Sequence, residues 1–206
     1  MKIYGDIISP FVRMALVTAH ECGLGNKVEQ IRENVKPTEP NLKVTGLSPL
    51  GKIPVLETDH HHPIYDSRVI IEYLAHVAGN KTLIPDDGVK RFRVLTLQAL
   101  GQGLADVAVA YRYEVAARPQ GLQWVEWMAR AEQRMNSAMD DLEKNWTKDL
   151  GDVTAGSIAA AVALSYMDFR LPDMNWRDTR PQIKSFHATF SQRESMIKTT
   201  LAAKQV

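Results

Sequence analysis

Apolar positions along the first 80 residues change period several times, and each change marks an element. Lys2 to Ile7 is short and β-permissive, after which Phe11, Met14, Ala15, Thr18, Ala19 and Cys22 recur at helical spacing until Gly23 and Gly25 stop them. "KVEQIRE" reads as a second strand with Val28 and Ile31 as its apolar contacts, followed by a polar loop through Pro37, Pro40 and "LSPLGK". "IPVLET" and "HPIYD" read as two strands of a hairpin around a "DHHH" turn. Ser67 to Val77 is helical, with Val69, Ile70, Tyr73, Leu74 and Val77 on its apolar face. The order β-α-β-loop-β-β-α predicts a small mixed α/β layer.

The texture then changes. "AGNKTLIPDDG" clusters Gly, Asn, Pro and Asp between periodic segments and reads as a linker. Val89 to about Ala117 predicts one long helix with a bend at Gly101 and Gly103, ended by Arg118-Pro119. Gln123 to about Trp146 predicts the next, with Trp124 and Trp127 assigned to packing. Thr154 to Arg170 is apolar all round, the mark of a buried core helix, and Arg180 to Phe190 and Glu194 to Ala203 supply two closing helices. The expected division is residues 1–78 as an α/β domain, 79–88 as linker and 89–206 as an all-α domain.

Bulk properties narrow the function classes. With 206 residues, 45% hydrophobic content and a formal net charge of +1, the chain has an ordinary globular composition and no basic field for nucleic acid. No stretch approaches the ~18 uninterrupted apolar residues of a membrane span, and the start lacks a secretory-signal pattern. A single cysteine, Cys22, rules out an internal disulfide framework and a Cys-based zinc site, as suits a reducing cytoplasm.

Three places carry candidate chemistry. Ser9 precedes Pro10 at a helix start, where it is either a plain N-cap or a hydroxyl held at the positive helix end for an anion. Ile53-Pro54 stands before a strand, where Pro removes a ladder hydrogen bond and suggests a turn, cis or trans, with free backbone groups. Asp66-Ser67 opens a helix and either caps it or grips a carboxylate. "DHHHP" does not read as a metal site, because consecutive strand residues point to opposite faces.

Together these residues resemble the glutathione transferase family. The resemblance rests on Ser9-Pro10-Phe11-Val12-Arg13, on "PLGKIPVL" from Pro49, and on "DSRVIIEYL" from Asp66. It continues through "AVALSYMDFR" and "RPQIKSFHATFSQRESMIKTT", and is nearest to bacterial members that open with Ser-Pro-Phe-Val-Arg. It implies a thioredoxin-like N-terminal domain followed by an all-helical domain, usually paired as a two-fold homodimer. It also implies glutathione as co-substrate, no metal and a small electrophile as partner. Ser9 would hydrogen-bond the glutathione sulfur, Ile53 ahead of Pro54 would pair with the cysteinyl backbone, and Lys52 would lie near the glycyl carboxylate. Asp66 would face the γ-glutamyl ammonium and Ser67 its carboxylate. Phe11, Tyr111, Arg112 and Arg118 are candidates for the acceptor side.

The energetics permit this chemistry. A free thiol titrates near ~8.5 and a hydrogen bond to a charged group is worth about 1.5–3 kcal/mol, enough to lower a thiol by roughly one to two pH units. Redox relatives of this fold carry cysteine where Ser9 stands, whereas Cys22 lies 13 residues later, about 20 Å along a helix. Conjugation is therefore expected rather than disulfide exchange, with a non-catalytic binding or stress-associated regulatory protein of the same fold as the alternative. The isomerase branch's Ser-Ser-Cys run is absent. One position departs from the family: Ser157 stands three residues after the Thr154 cap, where an Asp is usual. Being shorter and uncharged, it is expected to leave the cap incomplete, with Gly156 weakening the turn further, so that Ser157→Asp would raise the melting temperature.

Overall fold

The computed structural model describes residues 1–59 and 62–201. His60 and His61 of the expected hairpin turn, and Ala202 and Ala203 of the expected last helix, lie outside the described residues. Contacts divide the chain into two units, residues 1–86 with the segment from Arg193 onward, and Asp87–Gln192.

The first unit is built on a three-stranded sheet, β1 (Lys2–Tyr4), β2 (Glu29–Ile31) and β3 (Val55–Glu57), in the order β2-β1-β3. β1 pairs parallel with β2, Tyr4 opposite Ile31, and antiparallel with β3, Tyr4 opposite Val55. Alternation along the strands sends Ile3 and Leu56 to one face, against Val12, Ala15, Leu16 and Ala19 of α1 (Pro10–Glu21) and Ile70 and Leu74 of α3 (Ser67–Val77). Tyr4 and Val55 face the other way, onto Val44 of α2 (Leu42–Leu47).

Three details differ from the sequence pattern. The fourth strand shrinks to a single bridge between Leu56 and Ile64, beside Pro63, which has no N–H to extend the ladder. Helix α2 forms inside the expected polar loop, nucleated by Asn41, whose side chain accepts from the amides of Lys43 and Val44 at 3.0 and 3.1 Å. The buried face of α3 is Ile70, Ile71, Leu74 and Ala75, rotated from the expected one, so Val69 and Val77 are exposed. The short helix α8 (Glu194–Lys198) returns to this unit and runs antiparallel along α1: Glu21 meets Arg193 and Ser195, whereas Arg13 meets Met196 and Thr199.

The second unit is helical: α4 (Gly88–Ala116), α5 (Val125–Asn145), α6 (Ala155–Arg170) and α7 (Pro181–Phe190). By length and mean hydropathy α4 is long and apolar enough to cross a membrane, yet its apolar stripe packs on α6, which is buried along nearly its whole length as expected. α4 is continuous through Gly101 and Gly103 rather than interrupted there. Gly101 instead allows close approach, since a Cβ there would fall 2.6 Å from the Ala159 carbonyl carbon. Gly156 does the same against Leu97, at 2.8 Å, so it serves packing and is not merely a weak spot in the first turn.

The expectation for Ser157 is overturned. Thr154 Oγ1 accepts from the Ser157 amide at 3.2 Å, while Ser157 Oγ accepts from the Thr154 amide at 2.9 Å, a complete reciprocal cap. Ser157 Oγ also donates to the Asp152 carbonyl at 2.7 Å, which a carboxylate could not do. Trp124 also departs from its packing assignment: it is 63% exposed, and Trp127 is half-buried.

Candidate functional site

The turn from β1 into α1 presents Ser9. Gly5 sits at φ +145°, and a Cβ there would lie 2.4 Å from Val12 Cγ2 and 3.0 Å from Ile53 Cβ, so the turn closes tightly between the first turn of α1 and Ile53. Buried Asp6 shapes the run into the helix: its carboxylate accepts from the Ile8 amide at 2.9 Å and its carbonyl from the Ser9 amide at 3.0 Å. Arg32 approaches the same carboxylate at 3.7 Å, and Gln30 donates to the Gly5 carbonyl at 2.9 Å. Ser9 is the N-cap of α1, its carbonyl accepting from the Arg13 amide at 3.0 Å, but its side chain makes no capping bond. The helix therefore does not consume this half-buried hydroxyl.

The other glutathione-side candidates belong to the same unit. The Ile53–Pro54 bond is cis; Pro54 is buried, and Ile53 touches the apolar clusters on both faces of the sheet. Lys52 is exposed just before it. Asp66 caps α3, accepting from the Arg68 amide at 2.9 Å through one carboxylate oxygen, and Ser67 begins the helix, buried.

Other groups of the first unit that resemble reactive ones are engaged or packed away. The Tyr4 hydroxyl donates to Glu57 at 2.6 Å, and this bond, with burial and the surrounding carboxylates, pushes it up to about 12. Burial, helped by Glu21, pushes the Cys22 thiol up to about 11, far from a reactive thiolate, and Cys22 packs on the core as a small apolar residue would. Arg13, buried, donates to Thr199 Oγ1 at 3.4 Å and the Met196 carbonyl at 3.3 Å, so it ties α1 to α8. Nothing in the spacing of the sequence points to that clasp, or to the part Asp6 plays beneath Ser9. Among the described residues no three His, Cys, Asp or Glu side chains gather as a metal site.

The acceptor-side candidates divide. Phe11 is half-buried in the first turn of α1. In the second unit, the Tyr111 hydroxyl donates to Glu132 at 2.5 Å, and burial with that carboxylate pushes it up to about 12. Arg118 is held by Glu114 at 2.7 Å, whose second oxygen accepts from the Trp124 amide at 2.8 Å, so it braces the α4–α5 connection. Arg112 is half-buried and pairs with no carboxylate among the described residues. Ser165 lies 2.9 Å from His187 Nε2, the spacing of a nucleophile and its base. Arg177 faces Nδ1 at 2.9 Å, however, so Nδ1 accepts and Nε2 carries the proton. Ser165 in turn donates to the Ala161 carbonyl at 2.9 Å, and the chain of donors runs the wrong way for catalysis.

Comparison with known proteins places this geometry. Residues 8–77 match the N-terminal domain of glutathione S-transferase, and residues 125–188 match its C-terminal domain. The chain belongs to the glutathione S-transferase family. An uncharacterized GST-like protein from Escherichia coli, YibF, is 31% identical over 97% of this chain and 98% of its own. A glutathione transferase family member from Pseudomonas fluorescens Pf-5, solved with bound glutathione, is 37% identical over 98% of both chains with a TM-score of 0.94. The same organism's family member solved with S-(propanoic acid)-glutathione is 37% identical over 97% of this chain and 98% of its own, with a TM-score of 0.87. Ser9, Lys52, Ile53, Pro54, Asp66 and Ser67 all fall within the matched N-terminal transferase domain, whereas Tyr111, Arg112 and Arg118 lie outside both matched spans.

Proposed function

We propose that this family member is a glutathione transferase in which the Ser9 hydroxyl donates to the glutathione sulfur and holds it as thiolate. The reading is carried by the Ser9 side chain, which stands at the N-terminus of α1 without capping it. An anion at that point meets the helix's partial positive charge as well as the hydroxyl. Ile53, ahead of the cis Pro54, supplies backbone groups for the cysteinyl residue; Lys52 serves the glycyl carboxylate, and Asp66 and Ser67 the γ-glutamyl end. In the reaction the thiol proton leaves to solvent, and the thiolate sulfur bonds to the electrophilic carbon. The displaced electron pair goes to a leaving group, or to the neighbouring carbon, which then takes a proton.

Two features of the relatives support this reading: both Pseudomonas structures hold glutathione or a thioether of it. The second ligand is itself the kind of product that thiolate addition makes. We further propose a cytoplasmic homodimer acting on small electrophiles in detoxification.

The deciding experiment compares wild type with Ser9→Ala on immobilised glutathione and in a conjugation assay. Retention of both proteins, with the variant's conjugation reduced about 10- to 100-fold and its bound thiol titrating roughly one to two pH units higher, is expected. Wild-type conjugation by Ser9→Ala would remove Ser9 from the mechanism. Glutathione binding with no conjugation by the wild type would favour the non-catalytic alternative.

A further inference from the structure

The two core helices of the second unit end in an arrangement that packing alone does not explain. α4 and α6 run parallel, because Leu97 meets Gly156 and, four residues on, Gly101 meets Ala159 and Ala160. The facing stripe of α4 is Leu97, Gly101, Ala105 and Ala108, all buried, and its next member at helical spacing is Arg112. On α6 the stripe is Gly156, Ala160, Ala163 and Met167, all buried, and its next member is Arg170. From the contact of Gly101 with Ala159, 11 residues lead to Arg112 on one helix and 11 to Arg170 on the other. At 1.5 Å per residue, two half-buried guanidiniums thus come level at one end of the helix pair.

Neither arginine pairs with a carboxylate among the described residues; the Arg170 guanidinium lies 4.4 Å from the centre of the Phe169 ring. Arg170 hydrogen-bonds the Tyr166 hydroxyl, which is buried at 5% exposure, and Arg112 lies within electrostatic range of the same group. Burial pushes that hydroxyl up to about 12, so it remains a donor at any physiological pH. The negative end of α6 accounts for a cation at Arg170, in its last turn, but not for Arg112, which lies before the last turn of α4. Two like charges gathered about one buried hydroxyl repel each other, and an anion bound between them would relieve that repulsion. Arg118, the other basic candidate on this stretch of chain, is already neutralised by Glu114.

We propose that Arg112 and Arg170 together form a binding site for a small carboxylate on the helical unit. Guanidinium forks suit a planar carboxylate, which each can engage through two parallel N–H donors.

The test is calorimetric titration with 3-nitrobenzoate and with its neutral isostere 3-nitrobenzamide. Wild type is expected to bind the benzoate in preference to the amide, and the Arg112→Met/Arg170→Met double variant to lose at least about tenfold of that affinity. Arg170→Lys, which keeps the charge without the fork and perturbs the fold least, is expected to lose part of it. No preference for the benzoate in wild type, or undiminished binding by a double variant with the circular dichroism of wild type, would overturn the proposal.

Discussion

At the scale of single residues, hydroxyls decided more than charges. Ser9 and Ser157 both stand at helix starts; the sequence pattern reads the first as a cap or an anion contact and the second as too short to complete the Thr154 cap. One sequence cannot separate a capping hydroxyl from a ligand-facing one, because the difference lies in a side-chain rotation that spacing does not encode. In the structure Ser9 leaves its helix uncapped, whereas Ser157 completes a reciprocal cap and also bonds the Asp152 carbonyl. The stability expectation therefore reverses. Ser157→Ala removes bonds to the Thr154 amide and the Asp152 carbonyl at a fully buried position, a loss of about 1–3 kcal/mol. For a chain of this size that lowers the melting temperature by roughly 2–4 °C per kcal/mol. Ser157→Asp can still accept from Thr154 but cannot donate to Asp152, so thermal unfolding should show no rise and a measurable fall.

At the scale of elements, periodicity located nearly every helix core and was least reliable where elements are short. α2 shows no readable period because it buries only Val44 and owes its start to Asn41. α3 was legible as a helix, yet its apolar face was rotated from the expected one, since Val69 and Val77 are as apolar as the residues that pack. The pairing of α1 with α8 was not legible at all, because it joins residues more than 170 positions apart through a carboxylate and three hydrogen-bond donors. Glu21 receives both guanidinium donors of Arg193 at 2.8 Å and the Ser195 hydroxyl at 2.5 Å, and the Arg193 bonds hold its carboxyl below the ordinary range. A carboxyl whose folded value is depressed stabilises the fold above its unfolded value and loses that contribution as pH falls through the folded one. Acid should accordingly loosen α8 from α1 below about pH 4.5, the ordinary value. Glu21→Gln should be less stable than wild type at neutral pH and show a shallower stability decline between about pH 5 and 3. Equilibrium denaturation across that range measures both effects, and equal acid slopes in the two proteins would show that Glu21 is not the responsible group.

At the scale of the whole molecule, the two textures of the sequence, α/β first and helical after it, correspond to an α/β unit and a helical unit. Period and composition could not show that the chain returns to its first unit at the end, because the closing segment reads as one more amphipathic helix after a helical run. The return has a physical consequence for the site. Arg13 lies four residues after Ser9 on α1, and among the described residues its buried guanidinium donates to Thr199 and the Met196 carbonyl, both supplied by the returning segment. Glu21 likewise depends on that segment for Arg193 and Ser195. Ending the chain after Gln192 would strip a buried cation and a largely buried anion of their partners on the helix that presents Ser9. Leaving a buried polar group without its hydrogen-bond partner costs about 1–3 kcal/mol, and more when the group is charged, a sizeable share of a domain's total stability. The truncated chain should therefore lose glutathione affinity measured by calorimetry, while far-UV circular dichroism retains most of its helical signal, because α4 to α7 lie within Asp87–Gln192. Undiminished glutathione binding by the truncated chain would mean that α1 holds Ser9 in place without α8.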